Sequence, residues 1–186
     1  MTYILQIKET KVTRLYHEKT VLAVNGQFPG PTIYARAGDV VVVNVYNQGN
    51  KNITLHWHGV DQPRNPWFDG PEYITQCPIQ PGANFTYRII FSEEEGTVWW
   101  HAHSDFDRAT VHGAIVVHPK RGSAYSYTKP HKEMPIILGT CMDHLDLFSV
   151  LLLWTAIYTN CGTGSEILQS FDLNAWLKIL QASGGM

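Results

Sequence analysis

Thr54-Leu55-His56-Trp57-His58-Gly59 and Val98-Trp99-Trp100-His101-Ala102-His103 are the stretches whose reading decides the fold. Each carries two histidines at i and i+2. In an extended strand side chains alternate between faces, so both imidazoles of such a pair leave the same side, with Cα atoms roughly 6.5 Å apart. Two such strands laid side by side bring four imidazoles to one place. Imidazole suits copper, zinc, iron and nickel, and a metal takes its ring nitrogen unprotonated. A single H-x-H is also what an ordinary strand looks like. Two of them, both amid β-formers and tryptophan and each followed by a loop, predict a metal site built from His56, His58, His101 and His103. Four imidazoles can close one inert structural site, or be divided among several metals that need further ligands from elsewhere. Spacing alone leaves both open.

Outward from these stretches, short β-like runs recur between turn signals from Tyr3 to about Val117. Thr20 to Val24 ends at Asn25-Gly26, a strong turn dipeptide. Phe28-Pro29-Gly30-Pro31 forces a bend before Thr32-Ile33-Tyr34. The unbroken valines from Val40 suit a strand covered on both faces as far as Tyr46. Gln62 to Pro81, rich in Pro, Gly and Asp, reads as a long excursion, and loops of that length are usually functional or disordered. Asn84 to Phe91 alternates, with Phe85, Tyr87, Ile89 and Phe91 on one face and Thr86, Arg88 and Ile90 on the other. A short polar turn, Ser104 to Thr110, leads to a closing strand, His112 to His118. Strands at this spacing without intervening helices predict an all-β Greek-key sandwich or barrel over residues 1–120.

Composition narrows the function classes. A formal charge of −2 gives no basic footprint for nucleic acid. Leu147 to Tyr158 is apolar but shorter than the roughly 20 residues a bilayer-spanning helix needs, so no membrane span is expected. Residues 121–139 read as a linker and the start of something new; within 140–186, Ser165 to Leu180 has helical periodicity. Met1 to Lys8 reads as a strand and not as a signal peptide. Asn52-Ile53-Thr54 and Asn84-Phe85-Thr86 are glycosylation acceptors, which favours a mature secreted protein glycosylated at Asn52 and Asn84. The three cysteines, Cys77, Cys141 and Cys161, form no C-x-x-C pair, and their odd number leaves one thiol free or paired elsewhere.

The wording of the motifs adds a resemblance. His56-Trp57-His58-Gly59, Trp67-Phe68-Asp69-Gly70-Pro71, Tyr73-Ile74-Thr75-Gln76-Cys77-Pro78-Ile79 and Gly96-Thr97-Val98-Trp99-Trp100-His101-Ala102-His103-Ser104 are together similar to the first domain of a multicopper oxidase, in wording most like plant laccases. Val24-Asn25-Gly26-Gln27-Phe28-Pro29-Gly30-Pro31-Thr32 and Pro135-Ile136-Ile137-Leu138-Gly139 extend the likeness from about Lys8 to Gly139. The resemblance implies a cupredoxin-like fold in an extracellular, apoplastic oxidase. Such an enzyme takes electrons singly from phenols, lignin-type phenols included, at a blue copper, and reduces dioxygen to water at a trinuclear cluster. By position, His56 would serve the type-2 copper, His58 and His101 one type-3 copper, and His103 the other. Asp69 matches a carboxylate near the type-2 side, with a role in holding solvent and passing protons. Trp57, Trp99 and Trp100 would pack around the site, and His17, His112, His118, His131 and His144 would be surface or turn residues.

The departures from the family pattern also bear on function. The H-C-H stretch that builds the blue, type-1 copper site in laccases does not occur among the 186 residues, and Cys141-Met142-Asp143-His144 does not replace it. Tyr16 stands where many relatives carry cysteine, and Cys77 would bridge to a region outside this chain. After Gly139, where a plant laccase continues Glu-Trp-Trp, Thr140-Cys141-Met142 opens unrelated text. The resemblance therefore implies a truncated first domain with a short non-matching tail, partly helical or disordered, giving part of the trinuclear ligand set. The alternative is a non-catalytic copper-binding fragment.

Overall fold

A computed structural model describes residues 1–138 apart from 15, 126, 129 and 130. The tail helix, the apolar run Leu147 to Tyr158, His144, Cys141 and Cys161 lie outside the described residues. Among the described residues the chain forms strands β1 (Thr2–Arg14), β2 (His17–Val24), β3 (Ile33–Arg36), β4 (Val40–Asn47), β5 (Leu55–His58), β6 (Asn84–Ile90), β7 (Gly96–Ala102) and β8 (His112–His118). Two single 3-10 turns, Pro66–Phe68 and Asp107–Ala109, are the only helical elements there. One sheet has the order β2-β1-β4-β6 and the other β3-β8-β7-β5. Within them β1 runs parallel to β4 and β3 parallel to β8, while the other neighbours are antiparallel. The expected all-β sandwich is the observed one.

The core lies between the sheets and is built by period-2 alternation. Leu5 and Ile7 of β1, Val41, Val43 and Val45 of β4, and Tyr87 and Ile89 of β6 face Ile33 of β3, Leu55 and Trp57 of β5, Trp100 and Ala102 of β7, and Ile115 and Val117 of β8. The split of β6 into two faces is as expected. The valine run is not: only one face of β4 is covered, and Val40 and Tyr46 are 41% and 40% exposed. An unbroken apolar run makes burial on both faces possible, but among the described residues no second layer packs on the outside of this sheet. At the chain reversal after β2, Asn25 and Gly26 both have positive φ, as a two-residue hairpin turn of this kind requires. The Asn25 side chain also accepts from Gln6 N–H and donates to the Ile4 carbonyl.

Two tryptophans organise the second sheet. Trp57 and Trp100 are cross-strand partners in β5 and β7, and both are fully buried. Trp100 donates from Nε1 to the Pro31 carbonyl at 3.1 Å. A β-carbon on Gly113 of β8 would lie 2.7 Å from its ring, so the indole occupies the space a side chain would fill. Trp57 donates to the Phe68 carbonyl and meets Tyr87 edge-on across the core.

β5 is short and lies at the edge of its sheet, so contacts from outside the ladder hold it. The Tyr87 hydroxyl, reaching across from β6, accepts from Leu55 N–H at 3.1 Å. Removing one partner of a buried pair leaves the other unsatisfied, at a cost of about 1–3 kcal/mol. Tyr87→Phe is therefore expected to lower unfolding stability by roughly that amount with no change in sheet content. Urea unfolding followed by far-UV circular dichroism and fluorescence measures it.

Candidate metal centre

Because Leu55 and Trp57 turn into the core, His56 and His58 must leave by the outer face of the sheet. In β7, Trp100 and Ala102 turn inward and Trp99 and His101 outward. The antiparallel register sets His56 opposite His101 and His58 opposite Trp99. Ring centroids of His56 lie 5.6 Å from His58, 5.4 Å from His101 and 5.6 Å from His103. One donor atom from each of His56, His58 and His101 falls within 4.8 Å of the others. His58 Nδ1 and His101 Nε2 are 3.5 Å apart. That is the separation of two imidazole nitrogens that each lie about 2.0–2.1 Å from one shared ion.

His103 joins the group by a different route. β7 ends at Ala102, so His103 lies just past the strand and is exposed. Its N–H donates to the Thr54 carbonyl, and its ring stacks 6.2 Å from that of His101. The four imidazoles converge, but His103 stands outside the three-donor group.

Hydrogen bonds set which nitrogens are free. A carbonyl only accepts, so the 2.8 Å contact of His56 Nδ1 with the Asp69 carbonyl makes Nδ1 the protonated nitrogen and leaves Nε2 bare. The 2.8 Å contact of His101 Nδ1 with the Ala102 carbonyl does the same for His101. Orienting bonds of this kind fix both tautomer and ring direction at metal sites. The Asp69 carboxylate lies 3.3 Å from His56 Nδ1. Trp99 lies 4.2 Å from His101 and 5.5 Å from His58, as a wall against both rings.

The loop carrying Asp69 is pressed onto β5. Gly70 has φ of +103°, and a β-carbon there would sit 1.8 Å from the Leu55 carbonyl oxygen. Gly70→Ala is expected to displace the Asp69 carbonyl from His56, seen as loss of the His56 Nδ1–H signal in imidazole NMR spectra of the metal-free chain.

The remaining histidines separate clearly. His112 shares the face of His101 as its partner in β8, and donates from Nδ1 to the Arg108 carbonyl at 2.8 Å. Its ring lies 5.6 Å from Phe28 and 6.4 Å from Trp99, and it is half-buried, not a free surface residue. His118 is at the far end of β8, against Tyr34, Tyr125 and Glu133. Cys77 is exposed and in no disulfide among the described residues. Asn52 and Asn84 are both exposed, whereas Thr54 of the first acceptor motif is buried. Of the three tryptophans expected around the site, Trp99 is there, whereas Trp57 and Trp100 turn to the other face of the sheet and fill the core. Sequence reading missed the Asp69 carbonyl and Glu72 contacts of the 69–72 loop, where only the Asp-Gly turn left a local signal.

His58 and His101 are held in the neutral form. Burial pulls His101 down from the ordinary 6.5 to about 3, helped by the neighbouring His56, His58 and His103. Burial also lowers His58, followed by His56, while Asp69 opposes. The bare Nε2 atoms of His56 and His101 beside a neutral His58 are a donor set that fits a borderline metal ion. For His101 the unfolded chain binds a proton that the fold refuses between pH 6.5 and about 3, so stability must fall as pH falls through that window. At about 1.4 kcal/mol per unit, the loss for the metal-free chain is on the order of a few kcal/mol. Urea midpoints at stepped pH check this, with a shallower decline expected for His101→Gln.

Comparison with known proteins gives this geometry its class. Residues 6–122 match the family model for multicopper oxidase, and the chain belongs to that family. Within it the chain is similar to plant laccases. It is 77% identical over 133 residues to putative laccase-9 of Oryza sativa subsp. japonica, covering 72% of this chain and 23% of that protein. It is 53% identical over 172 residues to laccase-17 of Arabidopsis thaliana, covering 92% of this chain and 29% of that protein. The second alignment therefore runs past residue 139, into the stretch read above as unrelated. The crystal structure of laccase from Botrytis aclada superposes with a TM-score of 0.61 at 31% identity, over 63% of this chain and 22% of that one. The fold is thus the cupredoxin-like fold of multicopper oxidases, and the family implies copper as the metal. The chain spans about a quarter of the length of the curated relatives it matches.

Proposed function

We propose that this chain is the part of a laccase that contributes one half of the trinuclear copper ligands. The observation that carries the reading is the approach of His56, His58 and His101 donors to within 4.8 Å on one face of a multicopper oxidase fold. His56, turned by the Asp69 carbonyl, would serve a type-2 copper through Nε2. His58 and His101, with nitrogens 3.5 Å apart, would share one type-3 copper, and the exposed His103 would reach the other. Copper held there and completed by ligands from the rest of a full oxidase supplies the stepwise reduction of dioxygen to water with electrons from phenols. Asp69, beside His56 and partly open to solvent, would hold a water and hand on protons through its carboxylate. Lignin-type phenols are the proposed substrates, the plant apoplast the proposed location, and Asn52 and Asn84 the proposed glycan attachment points.

A second reading is a non-catalytic copper-binding fragment, supported by the His56, His58 and His101 donors that this chain brings together by itself. Under both readings the copper-loaded chain by itself oxidises phenols negligibly, and steady oxygen uptake with a simple hydroquinone would overturn that expectation. Metal analysis after dialysis separates a preformed site from an empty scaffold. Retention of two or more copper ions per chain supports the former, and less than one the latter. His58→Ala and His101→Ala are each expected to reduce retention. Unchanged copper content in both variants would refute the assignment.

A further inference from the structure

We infer that Glu72 is a positioning residue that sets where His103 stands relative to the other histidines. This rests on the copper reading above for its purpose but not for its geometry. Two of the other rings are anchored through a nitrogen, His56 to the Asp69 carbonyl and His101 to the Ala102 carbonyl, and His58 is packed against Trp99. Among the described residues no hydrogen bond reaches the His103 ring. Its position therefore follows from its backbone, which lies beyond the last residue of β7.

That backbone is fixed at one joint. The Thr54 peptide is gripped on both sides by the turn after β7: its N–H donates to Ser104 Oγ at 3.0 Å, and its carbonyl accepts from His103 N–H at 3.0 Å. Thr54 precedes His56 by two residues, so the joint couples the approach to β5 to the exit from β7. The Ser104 hydroxyl, buried and already accepting from Thr54, donates its own proton to Glu72 Oε2 at 2.9 Å. An ionised carboxylate is a strong acceptor for such a bond, and it fixes the rotor of a hydroxyl that could otherwise swing away.

Glu72 is itself held in place. The turn that follows it closes through Tyr73 N–H to the Gln76 carbonyl and Thr75 N–H to the Pro71 carbonyl, and Glu72 bridges Gln76. On its other side Gly70 lies against the Leu55 backbone, leaving no room for a side chain. One short loop thus delivers two contacts: the Asp69 carbonyl to the His56 ring and the Glu72 carboxylate to the peptide joint beneath His103. The loop sets the spacing between the two histidine pairs, and Glu72 is the part of it that acts on His103.

The test uses the full chain and two readouts. In imidazole NMR spectra of the metal-free protein, Glu72→Ala and Ser104→Ala are expected to shift or broaden the His103 signals while leaving His58 in place. Glu72→Gln, which keeps an acceptor oxygen of the same reach, is expected to restore them. In titrations with Cu(II) alone, Glu72→Ala is expected to weaken binding about 10-fold, within the 10–100-fold range for partners that orient ligands. Its effect should vanish in a His103→Ala background, because the two changes act through one ring. His103 signals unmoved in a folded Glu72→Ala chain, or equal losses with and without His103, would overturn the inference. If the His103 signals move but His103→Ala binds Cu(II) like the parent, Glu72 positions His103 as inferred. It is then the copper role of His103 that fails.

Discussion

The pairing of β5 on β7, with His56 opposite His101 and Trp57 opposite Trp100, is the constraint on which the rest depends. Because side chains alternate, one register decides both faces of the sheet together. A slip by a single residue would turn imidazoles into the core and put two indoles in water. Burying a tryptophan contributes on the order of 3–5 kcal/mol, far more than any contact among the imidazoles. The arrangement of the nitrogens is thus enforced from behind, by apolar packing that never touches a metal. The hydroxyl of Tyr87 and the close fit of Trp100 over Gly113 belong to that same enforcement.

An edge strand of four residues is a weak place for such a site, since half its backbone groups face away from the ladder. The long excursion between β5 and β6 compensates. Its Asp69 carbonyl orients His56, its Phe68 carbonyl takes the Trp57 proton, and Gly70 lets it lie flush on the strand. The buried Gln62 and Asn65 then tie its first half to β6, through Ile90 N–H and the Arg88 carbonyl. What composition marks as a loop is, in packing terms, a brace for the strand.

The sequence made legible whatever depends on period and local chemistry: the facing of each histidine pair, the two faces of β6, the Asn25-Gly26 turn. It was silent where the cause is distant in the chain. The valines of β4 do not reveal whether a second layer covers them. The strand-like look of His101-Ala102-His103 hides that the ladder ends one residue earlier, because the end is set by Thr54 and Ser104, 50 residues apart. The contact of Glu72 with Ser104 spans 32 positions and leaves no periodic trace. Even the choice of copper came from the wording of several motifs together, since histidine spacing by itself admits zinc as well.

Trp99 has a consequence of a different kind. It stands on the outer face, 4.2 Å from His101, whereas Trp57 and Trp100 are sealed on the other side of the same sheet. The three indoles therefore sample two environments separated only by the thickness of a backbone. Light emission from the outer one is exposed to quenching by whatever paramagnetic ion the imidazoles take up, while the inner pair reports on the integrity of the sandwich. Trp67, itself 66% exposed, emits alongside them, so the outer signal is read as a change on adding the ion and not as an absolute level.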